Sequence, residues 1–178
     1  PLWLEDAMIV NYSESWKRLT ASSPVPICTG ENLWRRHEFA DFVIKQGCDI
    51  LHPDWRNSGG FLENKRIADM AESWDVALAP HCPLGPIALA SCLQVDAVCQ
   101  LAFIQEQSQG IHYNRENDLT RYLMNPEVLR FDQGFVQIPQ GPGLGIEIDE
   151  TQVRAAAATG HRWRNPIWRH ADGSLAEW

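Results

Sequence analysis

No uninterrupted apolar stretch in this chain approaches the roughly 20 residues needed to span a bilayer, and no basic start followed by an apolar core marks a secretory leader. No Cys-x-x-Cys pair occurs among the five cysteines, Cys28, Cys48, Cys82, Cys92 and Cys99. An odd count without that spacing, with several of the thiols inside apolar runs, reads as buried, reduced cysteine in a cytoplasmic protein. Basic charge is in short supply: 15 Lys and Arg against 23 Asp and Glu give a net charge of −8. That balance argues against a nucleic-acid or anionic-membrane surface, either of which needs a basic patch. It leaves an anionic substrate open, because a bound divalent cation reverses the local field. A starting methionine is also lacking, and the chain opens directly on strand-like residues. The expectation is the back part of a longer protein whose N-terminal half is missing.

What is present is a repeat. Five short apolar runs each end in an acid or a histidine: Leu2–Leu4 into Glu5, Val25–Gly30 into Glu31, Cys48–Pro53 into Asp54, Val76–Pro80 into His81, and Leu101–Gln105 into Glu106. The intervals between these polar residues are 26, 23, 27 and 25. A period near 25 suits a strand of about five residues, a helix of about eleven and two short loops. Between the runs, Ser13–Ser22 carries Trp16 and Leu19 on one helical face, with Ser13 or Asn11 as cap. Trp34–Gln46 buries Phe39, Phe42 and Val43 and stops at Gly47, suited to a left-handed C-cap. Gly60–Trp74 repeats Leu62, Ile67, Met70, Ala71 and Trp74 at helical spacing, and Pro86–Leu93 is a short helix opened by proline. The 178 residues fit one domain, or one domain plus part of another.

Strand–helix alternation with short loops predicts an α/β fold with a parallel sheet. No Gly-rich phosphate fingerprint follows the first strand, which weakens a dinucleotide-binding Rossmann sheet. Five successive units with polar ends favour a (β/α) TIM-type barrel, in which all strand C-termini share one rim. Residues 1–108 would be barrel. Beyond them the pattern changes to a polar stretch His112–Asp118, a short helix near Leu119–Leu123, a hairpin-like Phe131–Val136, and an alanine-rich helix that Asp149 could cap. The aromatic and basic end Trp163–His170 completes residues 109–178, read as an arm that packs on the barrel and on a missing domain, with a surface interaction stripe as the other reading of that end.

On a shared rim, Glu5 and Glu31 make two hard oxygen ligands, and a third carboxylate from a preceding strand would complete the protein's share of a Mg²⁺ site. Either glutamate alone is equally a solvated strand end; their recurrence at two successive strand ends is the argument for a site. Asp54 beside His81 would fix the imidazole tautomer and raise its basicity, giving a general base near neutral pH. Alone, His81 between Pro80 and Cys82-Pro83 would pass for a structural turn residue. Glu106 could hydrogen-bond a substrate carboxylate or an enolate oxygen, or serve only as an ion-pair partner. A cation facing a His–Asp base suits removal of a weakly acidic proton next to a carboxylate.

These residues resemble the enolase superfamily, in its mandelate racemase-like branch and within that the galactonate dehydratase group. The resemblance runs through nearly the whole chain. It is carried by Thr29-Gly30-Glu31-Asn32, Pro53-Asp54 with Gly59-Gly60, the octapeptide Ala79-Pro80-His81-Cys82-Pro83-Leu84-Gly85-Pro86, Gln105-Glu106-Gln107-Ser108, Gly110–Asn114 and the closing Trp163–His170. It implies a modified (β/α)7β barrel of which this chain supplies about strands four to eight. Glu5 and Glu31 would then be the second and third Mg²⁺ ligands, Asp54 would orient His81 as the base at C2, and His81 and Glu106 would bind the substrate. The implied activity is that of a lyase that removes water from a sugar acid to give a 2-keto-3-deoxy acid, in a protein that is usually a homo-oligomer.

Three departures from the family pattern stand out. The strand-three segment with the first metal aspartate and a histidine acid is absent, so the isolated segment could be inactive. Glu5-Asp6 is followed by Ala7 where the family has proline, which predicts a less rigid turn. His52 and Leu101 stand where relatives carry Gln and Asn, and His52 shares the face of Asp54 either behind the site or as core filler. A racemase or epimerase of an α-hydroxy acid, and a non-catalytic or regulatory barrel, are the alternative readings.

Overall fold

The apolar runs condense into very short strands: β1 Leu4–Glu5, β2 Ile27–Thr29, β3 Ile50–Leu51 and β4 Ala77–Leu78. The computed structural model describes residues 1–110, 119–160, 167 and 169–175. Among these the strands form one parallel sheet in the order β1-β2-β3-β4, with Leu4 opposite Ile27, Cys28 opposite Ile50 and Leu51 opposite Leu78. The strands are shorter than the five residues expected, and proline accounts for part of this. Pro26 precedes β2, Pro53 follows β3 and Pro80 follows β4, each removing a ladder donor. The fifth run is not a strand but a single parallel bridge from Ala102 to Leu78, with Leu78 N–H donating to Leu101 O at 2.9 Å.

Helices alternate with the strands: α1 Glu14–Ser22, α2 Arg35–Ile44, α3 Trp55–Ser58, α4 Gly60–Glu72 and α5 Pro86–Asp96. Each crossover returns the chain to the start of the next parallel strand, which keeps all strand C-termini on one side. Trp16 of α1, Phe39, Phe42 and Val43 of α2 and Ile67 of α4 are buried with Ile27 and Leu51 of the sheet. Trp16 meets Phe42 edge to face at 5.3 Å between ring centroids and donates its indole N–H to Ile9 O at 3.0 Å. This layer fixes the sheet that carries the rim. A second apolar cluster joins Cys82, Leu89 and Leu93 to Leu123 and Leu129, so residues after 119 help to pin α5.

Two caps differ from expectation. Ser13 stands at the N-cap of α1 without a side-chain bond, and Glu14 is the acidic residue of the first turn. The left-handed residue after α2 is Gln46, at φ +55°, not Gly47. Gly47 is needed for space: a Cβ there would lie 2.9 Å from the Tyr12 ring. Helix α3 was not visible as a periodic segment, being a single turn started by Asp54.

The backbone divides into two compact units, Pro1–Ile148 and Asp149–Trp178. Within the second, α6 Glu150–Thr159 begins where Asp149 accepts a hydrogen bond from Gln152 N–H at 3.0 Å, as the sequence suggested. No helix among the described residues is long and apolar enough to cross a membrane.

Candidate active site

Glu5, Glu31, Asp54, His81 and Glu106 all lie at or just beyond the C-terminal ends of their strands or bridge. The sheet curls far enough for Trp3, ahead of β1, to meet Phe103 edge to face at 6.3 Å. Curvature of this kind brings rim residues from opposite ends of the sheet together, and the five side chains form one cluster around two histidine rings.

His81 is its hub. Its Nδ1 lies 3.1 Å from Asp54 Oδ2, and its Nε2 lies 3.1 Å from Glu31 Oε2 and 3.9 Å from Glu106 Oε2. Asp54 is fully buried and oriented by its own turn, accepting from Arg56 N–H at 2.8 Å and Asn57 N–H at 3.1 Å. One residue therefore caps α3 and aims the imidazole. Burial raises the Asp54 carboxyl pKa, but the bond from His81 and the two backbone donors outweigh it, leaving the group below the ordinary aspartate value. For His81, burial disfavours the charged ring, while Asp54 and then Glu31 and Glu106 raise its pKa above the ordinary histidine value.

Glu106 accepts from Cys82 N–H at 2.6 Å. Burial opposes its ionisation; His52, that backbone donor and His81 together hold its pKa below the usual glutamate value. Gly30 sits at φ +141°, and a Cβ there would crowd Phe39 at 3.0 Å and His52 N at 3.1 Å. Only glycine lets the backbone pass this closely and still present Glu31 to the cluster. The turn after Glu5 is tied down by Asp6, which accepts from the Thr29 hydroxyl at 2.6 Å. Asp6 thus supplies an anchor at the place where proline is missing.

His52 is the residue that sequence reasoning underrated. It is 1% exposed, its Nδ1 bonds the Ala79 carbonyl, and its Nε2 lies 3.5 Å from Glu106 Oε2 and 3.8 Å from Glu5 Oε1. Its spacing of two from Asp54 was the signal, since alternate residues at a strand end face the same way. Leu101 takes part instead in the backbone bridge to β4. His112, Tyr113, Asn114, Trp163, Arg164, Asn165, Pro166 and Trp168 lie outside the described residues.

The donor chemistry suits a hard divalent cation. Among the described residues, Glu5 and Glu31 pair with histidines and with no lysine or arginine. Trp3 Nε1–H steadies Glu5 at 2.9 Å. Two carboxylates without a fixed cationic partner are two of the oxygen ligands that Mg²⁺ takes, and the fit is good as far as this chain supplies the set.

Residues 1–152 match the family described as enolase C-terminal domain-like. The D-galactonate dehydratase of Variovorax paradoxus is 49% identical over 178 residues, all of this chain and 47% of that protein. The D-galactonate dehydratase of Ralstonia nicotianae is 48% identical over the same share of each. The chain thus spans about half the length of the curated relatives it matches. Among solved structures, mandelate racemase/muconate lactonizing enzyme from Sulfitobacter sp. aligns with a TM-score of 0.76 at 29% identity, over 87% of this chain and 37% of that one. The enzyme of the same description from Jannaschia sp. CCS1 aligns with a TM-score of 0.76 at 27% identity, over 93% of this chain and 39% of that one.

Proposed function

Because the chain belongs to the enolase C-terminal domain-like family and forms the C-terminal part of its (β/α) TIM-type barrel, we propose that it serves a Mg²⁺-dependent lyase that removes water from a galactonate-type sugar acid. The observation that carries this reading is His81, with Asp54 on one ring nitrogen at 3.1 Å and the other turned toward a cluster of carboxylates.

His81 Nε2 would accept the proton from C2 of the substrate while Asp54 keeps the proton on Nδ1. The C–H electron pair passes toward the substrate carboxylate as an ene-diolate, then expels the C3 hydroxyl, which leaves as water with a proton from an acid outside this chain. Glu5 and Glu31 would hold Mg²⁺, which when bound supplies electrostatic stabilisation where negative charge develops. Glu106 would meet the carboxylate end of the substrate, where the enolate oxygen develops. Residues 1–108 are read as barrel and 109–178 as an arm serving a capping domain outside this chain, in a cytoplasmic homo-oligomer.

Full-length protein incubated with Mg²⁺ and D-galactonate should form a 2-keto-3-deoxy acid. The absence of keto product across a panel of aldonates, with Mg²⁺ binding intact, would overturn the lyase in favour of a non-catalytic barrel. Deuterium exchange at C2 without dehydration would replace it with a racemase or epimerase.

A further inference from the structure

His52 is the one imidazole of the cluster that proton abstraction leaves unused. Its Nδ1 is bonded to the Ala79 carbonyl, which can only accept, so Nδ1 carries the hydrogen and Nε2 of the neutral ring carries a lone pair. That Nε2 is buried and meets no hydrogen-bond criterion among the described residues. It faces carboxylate oxygens of Glu106 at 3.5 Å and Glu5 at 3.8 Å, which favour a proton or a metal cation on that nitrogen. His81 is built in the same manner, with Nδ1 held by Asp54 and Nε2 turned to Glu31 at 3.1 Å. The two rings stand 5.2 Å apart at 74°. A ring held from behind through one nitrogen, by a carbonyl or a carboxylate, is the arrangement that orients metal-ligating histidines.

We propose that Nε2 of His52, Nε2 of His81 and the carboxylate of Glu31 form a binding site for a borderline-soft divalent cation of the Zn²⁺ and Co²⁺ class. One ligand atom from each of these three residues falls within 4.8 Å of the others. Tetrahedral ligands at about 2.0–2.1 Å from zinc stand roughly 3.3 Å apart, so the set closes with shifts of at most about 1.5 Å. Two imidazoles and one carboxylate with a fourth position open is a ligand set zinc accepts, whereas Mg²⁺ takes oxygen. A second grouping, Glu5 with Cys28 and His52, is equally close. It is the weaker site because burial, and then Glu5, push the Cys28 thiol far above its ordinary value, and only thiolate binds metal well.

A cation in this site occupies the lone pair of His81 and holds Glu31, so Zn²⁺ would block proton abstraction. That inhibition rests on the base assigned above; the site itself does not. The test is therefore made on full-length protein without substrate, with Co²⁺ followed by its visible absorption and Zn²⁺ and Mg²⁺ by calorimetry. Nitrogen-ligated Co²⁺ bands are expected, with Zn²⁺ bound more tightly than Mg²⁺. H52Q and H81N should each weaken Zn²⁺ by at least about tenfold, the cost of losing even an outer-shell partner, and leave Mg²⁺ affinity within about twofold. Should H52Q fail to fold, H81N carries the same comparison. Zn²⁺ bound no better than Mg²⁺, no nitrogen-ligated Co²⁺ bands, or unchanged Zn²⁺ affinity in either folded variant would overturn the site. A protein that binds Co²⁺ this way yet dehydrates nothing would uphold this inference and sink the lyase.

Discussion

The two nitrogens of His81 are committed to different partners, and that division carries the chemistry assigned to the ring. Nδ1 belongs to Asp54, whose carboxylate is locked by two backbone donors, so turning the ring breaks its bond to a carboxylate that cannot follow it. Nε2 faces the mouth, where Glu31 and Glu106 favour the imidazolium that forms when a proton arrives. His81→Asn should therefore lower C2 proton exchange by about 10²- to 10⁴-fold, the range for a lost general base, with the circular-dichroism spectrum and Mg²⁺ binding retained. Exchange at the wild-type rate would remove His81 from the role. Glu31 makes a different prediction, because its side chain is half-buried and free of any lysine or arginine among the described residues. Glu31→Gln keeps the shape and deletes the charge, so Mg²⁺ affinity should fall by roughly tenfold or more before any step is affected. Calorimetry on the variant without substrate decides it, and an unchanged Mg²⁺ affinity would count against the ligand role.

Helix α5 ends on a buried acid. Asp96 is its last residue; burial alone pushes its pKa from 3.8 up to about 7, and its Oδ1 has no hydrogen-bond partner among the described residues. A carboxylate there also opposes the partial negative charge of the helix terminus. The folded state holds this proton where the unfolded chain has lost it, so the contribution to stability is complete below the unfolded pKa and disappears as pH rises through about 7. Urea unfolding of the full-length protein at about pH 5 and about pH 8 should show wild type losing stability on the order of a few kcal/mol over that interval. Asp96→Asn should flatten the slope; an equal slope in both proteins would show that Asp96 is not its source. Other elements differ in how far the sequence announced them. The helices α2 and α4 were legible because their buried aromatic and aliphatic residues keep a helical period. Turn α3 was not, since four residues carry no period and its start depends on Asp54 accepting backbone donors. The rim residues Glu5, Glu31, Asp54, His81 and Glu106 could be located because a parallel repeat delivers each strand end to the same side. His52 could be placed on the face of Asp54 by its spacing but not given a role there: its tautomer depends on the Ala79 carbonyl, a contact across 27 residues that no local pattern encodes.

The sheet as a whole is an arc. β1 has a ladder partner only in β2, and the run through Ala102 touches only β4, so among the described residues both flanks present backbone groups without a neighbouring strand. Leu2, Leu4, Phe103 and Ile104 stand exposed along those same flanks, close to where Trp3 and Phe103 meet. A closed barrel has no such edges, because every strand is paired on both sides. Unpaired parallel edges lined by apolar side chains are templates for further strand pairing, whether by the strands that complete a barrel or by another copy of the same chain. The curated relatives are about twice as long as this chain, which leaves ample sequence for the former. The 178 residues expressed by themselves should therefore self-associate, eluting from size exclusion ahead of a 20.2 kDa globule and melting without a sharp cooperative transition. Co-expression with the rest of the full-length protein should convert that material to a discrete species with a single transition. A monodisperse monomer with a cooperative melt from the 178 residues alone would show that the arc is sealed by its own curl, and that the edges need no further strands.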